Sequence, residues 1–123
     1  MTSLEKAVFA AKTLDEKKAF QIEVISVKGI SDITDYFVIA NGSVNTHVHS
    51  LADELEVKMR EKGIQPLHIE GYASGNWVLL DYTDVIVHIF TPETREFYDL
   101  GRLWNDGERI KVDFEETEEK GEA

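Results

Sequence analysis

The sequence predicts one mixed α/β domain, a sheet of about five strands with three helices in the order αββαβββα. Three observations carry this. Two segments repeat apolar residues at helical spacing, and a third opens with a proline helix start. Five short β-branched or apolar runs lie among them. Only four residues separate the last two runs, which demands an antiparallel hairpin.

Residues 3–19 read as the first helix. Leu4, Ala7, Val8, Ala11 and Leu14 fall at helical spacing with charges between them, and Thr2 with Glu5 has capping-box spacing. Gln21 to Val27 alternates loosely and is β-branched, hence a strand that Lys28-Gly29 ends. Tyr36 to Ala40 is an unbroken apolar run, the pattern of a central strand buried on both faces. Asn41-Gly42-Ser43 breaks it. The second helix runs from about Val44 to Lys62, with a stripe of Val48, Leu51, Ala52, Leu55 and Met59, and Gly63 stops it.

Three more strands follow, at Leu67 to Glu70, Asn76 to Leu80 and Val85 to Phe90. If the strands flanking the second helix are parallel, their crossover is right-handed. Thr91-Pro92-Glu93 opens a helix that carries Phe97, Leu100 and Leu103 inward and ends near Trp104. The domain is expected to span residues 1–112, with 113–123 an acidic, disordered tail. Three helices are few for covering both faces of such a sheet, and a bare face or edge is a natural docking surface.

The chain of 123 residues is 42% hydrophobic, enough for a core. Cysteine is absent, which excludes disulfides, thiolate metal sites and a cysteine nucleophile. No apolar run approaches the roughly 18 residues of a membrane span, and the N-terminus lacks a signal-peptide pattern, so a cytoplasmic location is expected. The net charge is -11. Residues 105–123 contribute -5 (8 acids, 3 bases) and residues 1–104 contribute -6 (16 acids, 10 bases), so the domain itself is acidic. Such a surface argues against direct nucleic-acid binding as the main function. It suits a basic protein partner, or simply solubility.

Gly42-Ser43, between a strand and a helix, has two readings: a helix cap, or a phosphate cradle like the Gly-Ser turn of nucleotidyltransferases. Those enzymes also need closely spaced carboxylates on a neighbouring strand to hold metal ions, and none follow the second helix. Asp81 and Asp84 bracket the hairpin, where Asp caps its own turn, meets a partner, or serves acid–base chemistry. His47 and His49 point in different directions on a helix, and His68 and His88 lie on separate strands, so no metal site is expected. Strand alternation puts Val78 and Leu80 on one face and Trp77, Leu79 and Asp81 on the other, with His88 opposite to Val87. Trp77 is thus a core residue or an interface anchor.

The blocks Asp32-Ile33-Thr34-Asp35-Tyr36-Phe37-Val38-Ile39, Gly42-Ser43 and His47-Val48 resemble a signature of Iojap/RsfS ribosome silencing factors. So do Glu70-Gly71, Trp77-Val78-Leu79-Leu80-Asp81 and Asp84-Val85-Ile86-Val87-His88, and then Arg95, Tyr98, Leu100 and Leu103-Trp104. The likeness covers about residues 3–105. It implies a nucleotidyltransferase-like fold without catalytic acids and without a cofactor. It further implies a protein that binds the large ribosomal subunit through large-subunit ribosomal protein fourteen, blocks joining of the small subunit and represses translation when nutrients are scarce. Help in large-subunit assembly and homodimers when free are implied as well. The implied partner-binding residues are Glu70, Trp77, Asp81, Asp84 and His88. The alternative is a nucleotide-binding or nucleotidyl-transfer enzyme using the Gly42-Ser43 turn.

Overall fold

A computed structural model describes residues 1–103 and 105–114. Among these residues four helices and six strands follow the order α1 (Ser3–Glu16), β1 (Phe20–Ser26), β2 (Tyr36–Asn41), α2 (Asn45–Glu61), β3 (His68–Glu70), β4 (Trp77–Asp81), β5 (Val85–Phe90), α3 (Pro92–Tyr98), α4 (Leu100–Leu103) and β6 (Glu108–Ile110). The strands form one mixed sheet in the order β3-β4-β5-β2-β1-β6. Only the central pair, β2 with β5, is parallel, and every other neighbouring pair is antiparallel. Both central strands are buried along their whole length, as their unbroken apolar runs require.

The capping box predicted at Thr2 is present, with reciprocal bonds between Thr2 and Glu5. In α1, Ala7, Ala11 and Leu14 are buried, while Leu4 lies exposed one turn before the packed stripe. In α2 all five residues of the predicted stripe are buried. Both helices lie on one face of the sheet, over Val24, Val38, Ala40, Val78, Leu80, Val85, Val87 and Ile89. The opposite face carries a second apolar layer of Ile25, Val27, Phe37, Ile39, Ile86 and Phe90, joined by Trp77, Leu79 and Leu100. The sheet thus has two apolar faces, and α1 and α2 cover one.

Three expectations need correction. The sheet has six strands rather than five. β6 is only Glu-Arg-Ile, too short and polar to show alternation, and it exists as an edge paired to β1. The single closing helix is two pieces, because Asp99 adopts a left-handed backbone (φ 49°) that ends α3. Phe97, expected inward, is 79% exposed, whereas Leu100 packs on the second layer. The side chain of Leu103, the expected helix end at Trp104 and the tail from Glu115 lie outside the described residues. Phe114, two residues past the expected boundary at 112, packs partly buried against the α1–α2 core with Ile110 and Val112. Among the described residues no helix is long and apolar enough to cross a membrane.

Candidate docking face

The face opposite α1 and α2 gathers four of the five residues nominated from the sequence. Strand register sets them in rows. Glu70, Leu79, His88 and Ile39 stand side by side across β3, β4, β5 and β2. His68, Asp81, Ile86 and Phe37 form the next row, and Trp77 lies opposite Phe90.

Trp77 is the hub. Its ring stacks on Phe90 (centroids 5.1 Å apart) and meets Tyr98 of α3 at 4.5 Å. Its indole N–H donates to Nδ1 of His88 at 3.0 Å. Half-buried, it is both the edge of the second apolar layer and a wall of the surface. A groove of about 590 Å³ runs beside it, lined by Ser74, Asn76, Glu93, Thr94, Phe97 and Tyr98. A smaller one, about 230 Å³, lies on its other side against Glu70, Gly71 and Leu79. Gly71 makes this arrangement possible. Its φ is +79°, and a Cβ there would stand 2.1 Å from the Trp77 carbonyl oxygen.

His88 is buried between Phe37, whose ring meets it edge-on at 5.2 Å, and the indole. Accepting the Trp77 N–H places its own proton on Nε2, which finds no partner among the described residues. Burial pulls its pKa from 6.5 down to about 4, so the ring is neutral near pH 7. Asp81 has two duties. One oxygen accepts the Thr83 N–H at 2.8 Å, closing the hairpin turn, and the other lies 3.8 Å from His68 Nδ1. His68 Nε2 in turn lies 3.0 Å from exposed Glu70. The aromatic centre is therefore rimmed by Glu70 and Asp81 on one side and by Glu93 on the other.

Asp84 is not part of this face. Its carboxylate meets Lys6 of α1 at 2.6 Å and ties the hairpin turn to the first helix.

The Gly42-Ser43 turn is closed from within. The Ser43 N–H donates to His47 Nδ1 at 2.8 Å, and the His47 Nε2–H donates to the Lys17 carbonyl at 2.9 Å. The amide a phosphate would need is thus taken by an imidazole. Nor is the turn a side-chain cap, since Val44 occupies the N-cap of α2 without a capping bond. A Cβ on Gly42 would stand 3.0 Å from the Val48 amide, so glycine here serves close packing. Among the described residues no three His, Asp or Glu side chains gather in a metal-holding group.

Sequence reasoning missed the roles of Glu93, Tyr98 and Arg95 in shaping the face. Arg95 stands on a short polar helix, and its side chain is only 14% exposed and reaches β1 and β2. An aromatic pair, Phe97-Tyr98, at the outer end of a polar helix was the available signal.

The family model described as "Ribosomal silencing factor during starvation" matches residues 1–123. The ribosomal silencing factor RsfS of Halalkalibacterium halodurans is 37% identical over 113 residues, 92% of this chain and 97% of that protein. A mouse protein named for mitochondrial assembly of the ribosomal large subunit is 36% identical over 95 residues, 74% of this chain but 41% of its own length. The crystal structure of a Chromobacterium violaceum protein superposes with a TM-score of 0.83 at 31% identity, covering 91% of this chain and 92% of that one. With the family match, the identity to curated relatives and the shared fold agreeing, the chain belongs to the RsfS family of ribosomal silencing factors.

Proposed function

We propose that this chain represses translation as a steric binder of the large ribosomal subunit. It docks through large-subunit ribosomal protein fourteen on the surface that faces the small subunit, blocks joining, and performs no catalysis. The observation that carries this is the half-open aromatic face of Trp77 and Tyr98 with acids around it. Aromatic anchors in a partly desolvated centre with a polar rim are what protein interfaces use, and a carboxylate rim selects a basic partner. The name of the mouse relative supports the same subunit as the target. When free, two copies pair through the open part of this face, around Trp77 and Tyr98.

Cosedimentation with separated subunits, followed by subunit reassociation, tests the reading. Wild-type chain should travel with the large subunit alone and prevent joining. Glu70→Lys with Glu93→Lys, both at exposed positions, should weaken that binding several-fold at low salt and less at high salt, since exposed charges are screened over about 8 Å at physiological ionic strength. Absence of comigration with large subunits, and undisturbed joining, would overturn it.

A further inference from the structure

We infer that Arg95 is the positioning residue of the docking face: its guanidinium pins α3 across β1 and β2 and so holds Tyr98 over Trp77. The inference rests on reading that face as the large-subunit surface.

The helix needs such a pin. α3 has seven residues and buries none of them. A helix that short has no stability of its own and depends on tertiary contacts. Phe97 contributes none of that burial, being mostly exposed. Arg95 supplies the attachment. One guanidinium nitrogen donates to the Gln21 carbonyl at 2.6 Å and to Asn41 Oδ1 at 2.8 Å, and the other donates to Glu23 Oε2 at 3.0 Å. Arg95 and Tyr98 are three residues apart, so they lie on neighbouring parts of one helix face. Fixing the first fixes the second.

The receiving strand is built around this contact. Between Phe20 and Glu23 the register of β1 with β2 shifts, and Gln21 takes a left-handed backbone at φ 51°. For a residue with a side chain that conformation is costly and persists only where its surroundings enforce it. Here the irregularity presents the Gln21 carbonyl to Arg95. The Gln21 side chain accepts from Asn41 Nδ2 at 2.7 Å, which leaves Asn41 Oδ1 facing the guanidinium. Glu23 balances the buried charge, and its second oxygen lies 3.3 Å from Arg109 Nε. A lysine, with all its donors on one nitrogen, cannot span acceptors that two guanidinium nitrogens now divide.

The test uses Arg95→Lys, Tyr98→Ala and the double variant of the full chain. Three quantities are read: melting temperature, the indole N–H signal of Trp77 in a nitrogen-15 spectrum (assigned with Trp77→Phe), and binding to purified large subunits. Arg95→Lys should keep its fold, move the Trp77 indole signal and weaken binding about tenfold, the scale of losing one interface anchor. Tyr98→Ala should weaken binding similarly. The double variant should bind no worse than the weaker single one, because both changes remove the same contact. If Arg95→Lys does not fold, Glu23→Gln, which removes the charge partner, should move the same indole signal. An unmoved indole signal, unchanged binding by a folded Arg95→Lys, or additive losses in the double variant would overturn the inference. Wild-type chain that fails to bind large subunits would overturn the docking reading alone, because the indole signal still reports whether Arg95 places Tyr98.

Discussion

Acidification probes the buried His88 directly. In the fold its pKa sits at about 4, against 6.5 for the free ring, and burial is the cause. Above pH 6.5 the ring is neutral in both folded and unfolded chains and contributes no pH dependence. As pH falls from 6.5 towards 4, the unfolded chain binds the proton and the folded chain does not, so stability falls. Below about 4 both are protonated and the loss is complete. The separation, 6.5 minus 4, amounts to about 3 kcal/mol. About 2 kcal/mol of it is lost between pH 7 and pH 5. Urea denaturation at pH 7, 6 and 5, on wild type and His88→Phe, isolates this contribution because the phenyl ring takes up no proton. Wild type should lose about 2 kcal/mol more than the variant over that interval. Parallel slopes would refute the reasoning and mean that His88 Nε2 reaches water or an acceptor when protonated.

Two further predictions concern the edges of the reading. Asp84→Ala removes the ion pair with Lys6, which is partly exposed, so it should cost at most about 1 kcal/mol and leave large-subunit binding intact. Lost binding at an unchanged melting temperature would return Asp84 to the docking face. A chain ending at Val112 forfeits the contact of Phe114 with the core and should be less stable by about 1–2 kcal/mol, seen as a melting temperature lower by several degrees. An unchanged melting temperature would put the domain boundary at residue 112 after all.

Local signals in the sequence were enough for the elements whose stability is local or whose burial is uniform. α1 and α2 announce themselves by stripe and stop, and β2 and β5 by runs apolar on both faces. Alternation along β4 also placed Trp77 and Asp81 on one face, and along β5 it set His88 opposite to Val87, because a strand has only two faces; that His88 shares the face of Trp77 is set by the register between the strands. What was illegible depended on partners distant in the chain. β6 is a strand because β1 offers it an edge. The Arg95 side chain is largely covered because β1 bends at Gln21 to meet it. Asp84 turns towards α1 because Lys6, seventy-eight residues earlier, stands beside the turn. The Gly42-Ser43 turn looked open because nothing in its spacing shows that His47 turns back upon it.

The parallel pair at the centre of the sheet has a consequence for how the chain reaches this state. Tyr36 pairs with Val85, 49 residues on (85 minus 36), whereas the β1–β2 and β4–β5 pairs are close in sequence. Those two pairs can form early, each closing a short loop. Joining them means closing the whole α2–β3 excursion, and that entropy must be spent before β2 and β5 return any of it. The two halves of the core are therefore sealed late, by one seam. Until Phe90 is available to that seam, the edge of β2 that β5 takes stays unpaired, so the nascent chain carries an open edge on a buried, apolar strand until β5 has been made.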